Sequence, residues 1–473
     1  MLQNFLGDKI FWKSMATLAI PIAIQNLLTS SFALVDTLMV GQLGDVSLAA
    51  VGMAGQWSWL LNMVIFGICS GAAVFFSQYY GEDNKKGIIH TYGLATILGM
   101  SFALLFMLIG FFAPGGVISI FNRDKAVLDA GIRYLRIAVF SYPAILINML
   151  VNIVLRSTER VKLPMFVAFF TTILNAFLDY GLIFGVFGLP RLGIEGAAIA
   201  TVISAWSGPL IILVVCAFKK DDIFFAPIKE LLGFDKVFAW YFLKRALPVL
   251  LNETLWGLGT VVYNAIFSNM GYEYTAAVSI LRTFENIAFS FFVGMTNAAC
   301  VIIGKDIGSG EIKYAIKNST RYMTIVPLAG LVIGFFIIIF RNQLIGIFNM
   351  GGTISDKTIN AAQGIMIVYA LELAIRNIPY VAIVGVFRSG GDTKKGMKYD
   401  LITLWLISIP ITTIVAFVFK IPFIAVFACS YLCEDYIKAI LCIKHFKSMK
   451  WIKPVTKTGQ KALEKYLEDK VYV

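Results

Sequence analysis

Charge is scarce in this sequence. Charged residues make up 14% of its 473 residues, whereas hydrophobic residues make up 59%. A soluble domain carries about 25% charged residues and interrupts its apolar runs far more often. The low charge therefore excludes a soluble protein and predicts a polytopic membrane protein. Its hydrophobic runs are apolar on every face, without the alternation of a membrane strand, which predicts an all-α fold.

Histidine is scarcer still, and no cysteines are paired by a sequence motif. The two histidines, His90 and His445, fall near predicted helix ends, and the six cysteines lie at predicted helical positions. A metal centre needs a cluster of such ligands, and a serine hydrolase needs a histidine beside its nucleophile. The sequence predicts neither an enzyme nor a resident cofactor.

Long apolar runs, in contrast, recur along the whole chain. A transmembrane helix needs about 20 apolar residues, and runs of that length are separated here by short polar breaks. Twelve helices are predicted, at residues 13–40, 50–79, 91–113, 129–155, 163–188, 193–218, 240–268, 275–303, 318–340, 360–388, 396–418 and 421–445.

The longest polar connection divides these helices into two groups of six. We predict an N-terminal lobe at 1–218, a cytoplasmic linker at 219–239, a C-terminal lobe at 240–445 and a basic cytoplasmic tail at 446–473. A shift of 227 residues superimposes glycines and prolines of the halves, namely Pro21 on Pro248, Gly44 on Gly271, Gly67 on Gly294 and Gly81 on Gly308. Two pseudo-symmetric six-helix bundles follow, related by an axis along the membrane normal.

The net charge of +12 is explained by topology. Lysine and arginine are concentrated in the segments on the side of the N-terminus, which places both termini in the cytoplasm. A nucleic-acid partner is therefore not expected. The basic tail, with Trp451 and Leu467, is expected to lie on anionic lipid or to be exposed.

Acidic side chains inside the first half are the strongest functional signal. Asp36 lies in the first predicted helix, and Asn175 and Asp179 share one face of the fifth, four residues apart. Ala197 and Thr201 have the same spacing in the sixth helix. The shift maps Asp36 onto Tyr263, so the second half does not duplicate the acid. The side-chain and carbonyl oxygens of these residues suit a Na⁺ ion or a proton shared by two acids. The alternative is a structural network of hydrogen bonds between the helices.

The second half carries intramembrane charges of its own. They are Glu253, Arg282, Glu285, Glu372, Arg376 and Asp400. Spacing predicts helix-neighbour pairs, Arg282 with Glu285 and Glu372 with Arg376. A structural salt-bridge lattice and a role in substrate binding or gating both remain open, and Glu253 is the acid expected to be unpaired.

Aromatic and amide side chains supply a further candidate surface. Gln56 and Trp57, near the start of the second predicted helix, could line a cleft and bind flat organic cations through cation–π contacts. The aromatic belt at a membrane interface explains a tryptophan near a helix end equally well.

At this level of detail the chain resembles the MATE (multidrug and toxic compound extrusion) family over nearly its full length. The resemblance rests on the order and spacing of several motifs. They are Pro21 with Val35-Asp36-Thr37, Gly41-Gln42-Leu43-Gly44, Ala49-Ala50-Val51-Gly52, Leu155-Arg156-Ser157, Asn175-Ala176-Phe177-Leu178-Asp179-Tyr180, Gly193-Ile194-Glu195-Gly196-Ala197-Ala198-Ile199-Ala200-Thr201 and Arg388-Ser389-Gly390-Gly391-Asp392-Thr393.

The resemblance implies Na⁺- or H⁺-coupled antiport of organic cations or amphipathic drugs by alternating access between two lobes. The family's N-lobe cation site carries over to Asp36, Asn175, Asp179 and Thr201, with Ala197 as a carbonyl donor; any bound Na⁺ would lie there. In the second half, one branch of the family has acids where this chain has Trp256 and Asn377, beside Arg376. That departure argues against the C-lobe Na⁺ site of that branch.

The resemblance also implies a bacterial plasma-membrane protein that contacts membrane lipids, carries small drug-like molecules and works as a monomer. A lipid-linked precursor flippase of a related two-lobed superfamily is the alternative transporter. An intramembrane enzyme is the alternative of another class, and the missing histidines disfavour it. The sequence leaves the choice between Na⁺ and H⁺ open.

Overall fold

The computed structural model describes residues 7–121, 124–348 and 355–471. Over these ranges the backbone is helical apart from short connections, and the β-structure among them is one isolated bridge between Gly391 and Ile452. The prediction of an all-α protein is confirmed.

Twelve long helices account for most of the described residues. They are α1 (Lys9–Gly41), α2 (Asp45–Gly81), α3 (Lys85–Phe112), α4 (Lys125–Ser157), α5 (Lys162–Phe184), α6 (Ile194–Phe218), α7 (Lys236–Met270), α8 (Tyr272–Gly308), α9 (Ile312–Phe348), α10 (Asp356–Gly390), α11 (Thr393–Phe417) and α12 (423–447). Three short helices accompany them, Pro114–Phe121, Ile228–Leu231 and Lys457–Val471. Each long helix coincides with one of the twelve predicted spans.

Ten of these helices are long and apolar enough to cross a membrane. The other two long helices, α7 and α12, also carry charged residues. Lys244, Arg245 and Glu253 lie in α7, and Glu434 and Lys438 lie in α12. Charges at that depth are tolerated only when they are paired or face the bundle interior, and the contacts described below satisfy that condition for Glu253, Glu434 and Lys438.

The helices form two compact packing units. One contains Ile24–Phe76 and Asn84–Leu250, and the other contains Met1–Ala23, Ser77–Asp83 and Leu251–Val473. The ends of α1 and α2 thus pack with the second half of the chain, although they belong to the first half by sequence. The lobe boundaries at residues 218 and 240 remain a prediction.

The ends of α2 and α8 cross at very close range. The residues in contact there occupy equivalent positions of the 227-residue repeat. A Cβ atom on Gly81 would collide with the carbonyl of Lys305, and a Cβ atom on Gly308 would collide with the carbonyl of Gln78. Gln78 and Lys305 are themselves 227 residues apart, as are the two glycines. The contact is therefore reciprocal between repeat-related positions, and small residues let the helix backbones touch.

Replacing Gly308 by alanine should destabilise the protein by about 1–3 kcal/mol, because the added methyl group has no space unless the backbone moves. The measurement is the free energy of unfolding in detergent. Gly55→Ala, in α2, is the matched control, since a Cβ atom there meets nothing within 4 Å. It should leave stability unchanged or raise it slightly. Equal effects of the two substitutions would contradict the close crossing.

The C-terminal segment is docked on the protein, so the expectation of a lipid-bound or exposed tail is wrong for residues 451–459. Trp451 is fully buried, and Ile452, Val455 and Thr456 are nearly so. The Trp451 indole donates a hydrogen bond to the carbonyl of Phe446, at 3.2 Å. Composition did not predict the docking, because the lysines of the segment point outward while its apolar side chains face the helix ends.

Candidate functional site

Two acids of the first half meet inside the helix bundle. Asp179, in α5, is fully buried and Asp36, in α1, is half-buried. The two carboxyl groups lie close enough to interact directly. Among the described residues, no donor reaches either oxygen of Asp179 or Oδ1 of Asp36. Because two ionised carboxylates repel at this range, the pair requires a shared proton or a cation.

The remaining predicted site residues surround this pair. Asn175, one turn from Asp179, is 1% exposed, and its amide nitrogen meets no acceptor among the described residues. The Thr201 hydroxyl donates to the carbonyl of Ala197 at 3.0 Å. That bond orients the Thr201 oxygen as an acceptor and engages the Ala197 carbonyl, the atom expected to bind an ion.

Sequence reasoning missed Tyr134. This side chain, in α4, is buried and lies close to Thr201 and to both acids. A signal was present in the sequence. Tyr134 falls on the α4 face formed by Val127, Ala130 and Ala138, which are buried, and a tyrosine on an apolar helix face usually needs a hydrogen-bond partner.

The chemistry of this cluster is that of a monovalent cation or proton site. Its ligand atoms are hard oxygens, and only two of its members are acids. The described residues contain no group of three or more His, Cys, Asp and Glu arranged to hold a metal ion. Two carboxylates with neutral oxygens suit Na⁺ or a shared proton better than a divalent cage, which Ca²⁺ fills with six to eight oxygens.

In the second half, Arg282 and Arg376 make their contacts between helices. Arg376 Nη1, in α10, lies 2.6 Å from Glu285 Oε1, in α8, and Arg282 donates to Asn264 Oδ1, in α7, at 2.6 Å. The predicted pairs within one helix, Arg282 with Glu285 and Glu372 with Arg376, are therefore wrong. Arginine side chains are long enough to reach a neighbouring helix. A charged group buried between helices is stabilised by a partner on the facing helix.

Aromatic rings hold Arg376 in this position. Its guanidinium lies 5.1 Å from the ring centroid of Tyr431 and 5.8 Å from that of Tyr369. It also donates to the Tyr431 hydroxyl at 3.1 Å. Glu372, one turn away, is buried, and its Oε2 meets no donor among the described residues.

Glu253 was expected to be unpaired, and this expectation is wrong. Its carboxylate forms an ion pair with Arg388, which lies at the end of α10 and is 3% exposed. The reason is distance along the chain: the partner is 135 residues away, and no spacing rule connects the two positions.

Lys438, in α12, organises a cluster that sequence reasoning missed. Its ammonium lies 2.7 Å from Asp400 Oδ1, 2.7 Å from Glu434 Oε1 and 3.8 Å from Asp435 Oδ1. Asp400 also accepts a hydrogen bond from Asn252 at 3.0 Å. Glu434 and Lys438 are four residues apart within an apolar stretch, which is the signal that could have found them.

π-helical turns accompany these charges. They interrupt α10, α11 and α12 at Val381–Phe387, Ile402–Ser408 and Leu432–Tyr436. The last of them contains Glu434 and Asp435. Such turns widen the helix, re-aim side chains and occur frequently at functional sites.

The other candidate residues are held by local contacts. Asn377, 3% exposed, donates to the carbonyl of Leu373 in its own helix at 2.6 Å. The Trp57 indole donates a hydrogen bond to the carbonyl of Phe106 at 3.2 Å. It also stacks on the phenyl ring of Phe106, with ring centroids 4.4 Å apart. Gln56 is exposed. Trp57 thus joins α2 to α3, and the substrate-binding roles of these residues stay predictions.

Twelve helices in two repeated halves, with buried ionisable clusters, define an integral membrane transporter. The MatE family profile matches residues 21–181 and 248–429. The two matches begin at Pro21 and Pro248, 227 residues apart, which is the shift found between the halves. The chain therefore belongs to the MatE family and is a transporter rather than an enzyme.

Relatives and solved structures agree with this assignment. The chain is 24% identical over 457 residues to the probable multidrug resistance protein NorM of Thermotoga maritima, with 96% of each chain covered. It is 24% identical over 408 residues to the multidrug resistance protein MdtK of Yersinia pseudotuberculosis, with 84% of this chain and 86% of the relative covered. The fold matches the Vibrio cholerae MATE transporter VcmN in its bent form, with a TM-score of 0.82, 19% identity and 96% and 98% coverage.

Proposed function

We propose that this protein is a secondary active exporter of drug-like organic cations or other amphipathic compounds, driven by Na⁺ or H⁺ entering at Asp36 and Asp179. The observation that carries the proposal is the proximity of these two acids, in which Asp36 Oδ1 and both oxygens of Asp179 are buried and meet no donor among the described residues. The similarity to proteins named for multidrug resistance supports the substrate class.

The proposed mechanism is exchange between an ion and a drug. Uptake of a proton or Na⁺ neutralises the acid pair and rearranges α1 around it, which weakens drug binding and favours release outside. Loss of the ion on the cytoplasmic side restores the charge and the affinity for the drug. Thermodynamic linkage requires that each ligand disfavour the state that binds the other.

The same proposal places the chain in a bacterial plasma membrane with both termini in the cytoplasm, as a monomer in contact with lipid. The lysine and arginine distribution supports the orientation. Apart from the coupling ion, no cofactor is required, because the two acids and their neutral oxygen neighbours supply the whole site.

Efflux from proteoliposomes tests the function and identifies the ion. Vesicles loaded with a fluorescent organic cation receive either a Na⁺ gradient or a pH gradient, and dye movement is recorded. We expect one gradient to drive efflux at a rate well above that of protein-free vesicles. If neither gradient moves the dye, and purified protein does not bind it, the exporter proposal is wrong.

A further inference from the structure

The docked C-terminal segment bridges the two helix ends that cross at Gly81 and Gly308. On the α2 side, the backbone N–H of Val455 donates to Gln78 Oε1 at 2.7 Å, and the N–H of Thr458 donates to Glu82 Oε1 at 3.0 Å. On the α8 side, the Thr456 hydroxyl approaches the carbonyl of Gly308, at 3.4 Å. One short peptide therefore holds both helix ends.

Gln78 is the centre of this bridge. Its side chain is fully buried and uses both ends of its amide: Oε1 accepts from Val455, and Nε2 donates to the carbonyl of Ser389 at 2.7 Å. Its own backbone carbonyl lies against Gly308. Through this one residue, a helix of the first half is hydrogen-bonded to the tail and to the end of α10 and is packed against α8.

Further contacts anchor the segment to the α10–α11 connection. The N–H of Lys453 donates to the carbonyl of Gly390 at 2.7 Å. Asp392, 2% exposed, lies 2.9 Å from the Lys453 ammonium and 3.0 Å from His445 Nε2. On the other side, Gly459 packs so closely on α8 that a Cβ atom there would lie 2.6 Å from the carbonyl of Ile307.

The Asp392 contacts persist at cellular pH. Burial alone would raise the pKa of Asp392, but hydrogen bonds from His445 and Lys453 outweigh burial and hold that pKa below its usual value. A carboxyl group with a lowered pKa in the folded state contributes its stability fully above its unfolded pKa of about 4. That contribution is lost only as the pH falls through the lowered value, so neutral pH leaves the anchor intact.

We propose that residues 451–460 form a latch for the transport cycle, and that the latch must release α2 before the cytoplasmic side can open. The inference rests on the proposed function, because only alternating access requires this end to open. The structure gives the reason: α2 cannot leave α8 while Gln78 and Glu82 are bonded to a segment that is itself anchored at Asp392 and Ile307. Gln78 is a positioning residue that acts through the tail and does not touch the transported molecule.

Two substitutions weaken the latch from opposite sides. Thr456→Val removes the hydroxyl that approaches Gly308 and that accepts the N–H of Gly459, at 3.2 Å. Gln78→Met keeps the length of the side chain and removes both of its hydrogen bonds. Thr458→Val is the matched control, because this exposed side chain takes part in none of these bonds and Thr458 contributes only its backbone N–H.

The measurement is hydrogen–deuterium exchange by mass spectrometry on the full-length protein in lipid nanodiscs, without substrate. Losing one or two buried hydrogen bonds shifts an opening equilibrium by about 3- to 30-fold. We expect Thr456→Val and Gln78→Met to raise exchange by that factor in the tail and also at the ends of α2 and α8, residues 77–83 and 304–310. Thr458→Val should match the wild type.

Three results would overturn the latch. Faster exchange in the tail alone would show that its release does not open the crossing. Faster exchange in every peptide would show a general structural role. Unchanged exchange would show that these hydrogen bonds do not keep the ends of α2 and α8 together. Because exchange needs neither substrate nor gradient, a failure of the exporter proposal leaves the exchange result readable.

Discussion

Replacing Asp36 by asparagine is expected to abolish ion-driven efflux while leaving the protein folded. Asparagine has nearly the size of aspartate but can neither ionise nor take up a proton at physiological pH. In the structure the carboxyl group of Asp36 lies close to that of Asp179, so the substitution removes one of the two charges to which the proposed mechanism links ion binding and transport. Efflux from proteoliposomes should fall to the rate of protein-free vesicles under either gradient.

The matched control is Asp129→Asn, at an exposed position of α4, which should leave efflux unchanged. Thermal unfolding in detergent checks that Asp36→Asn remains folded. A drug-binding measurement separates coupling from binding, since Asp36→Asn should still bind drug with an affinity that depends less on pH or Na⁺ than that of the wild type. If Asp36→Asn showed undiminished gradient-driven efflux, the assignment of Asp36 as an ion-coupling residue would be wrong.

Replacing Lys438 by methionine is expected to destabilise the protein by about 3–5 kcal/mol. The ammonium of Lys438 lies 2.7 Å from both Asp400 and Glu434 and is nearly fully buried. Methionine fills a similar volume but leaves these acids without their cation, and an uncompensated buried charge carries a cost of this size. The free energy of unfolding in detergent, or the shift of the thermal midpoint, measures the loss.

A control and a rescue make this prediction specific. Lys444→Met removes an exposed lysine from the same helix and should change stability by less than about 0.5 kcal/mol. Adding Asp400→Asn to Lys438→Met removes one of the acidic charges left without the lysine, so the double variant should recover part of the loss. Equal stability of Lys438→Met and wild type would show that the cluster is solvated or already protonated.

The sequence predicted the helices well because a membrane helix has a strong signal. Some 20 consecutive apolar residues have few alternative structures, and each of the twelve predicted spans coincides with a helix. The acid pair was also within reach, because charge in an apolar segment is rare enough to single out Asp36 and Asp179.

Ion-pair partners that are far apart in the sequence could not be predicted from it. Periodicity relates residues three or four apart on one helix, so it proposed Glu372 for Arg376, whereas the structure pairs Arg376 with Glu285. The same limitation left Glu253 without its partner Arg388. It also hid the docked tail, because the lysines around Trp451 resemble a solvated segment until the helix ends that cover its apolar side chains are known.

The reciprocal crossing of α2 and α8 has the geometry of an isologous dimer interface contained in a single chain. In such an interface residue i meets j and residue j meets i; here Gly81 meets Lys305 while Gly308 meets Gln78. Both glycines therefore face the same steric limit, and relaxing it at one position cannot relieve the other. The two halves share this steric limit, although their ionisable clusters differ: one half has an acid pair and the other a lysine-centred cluster.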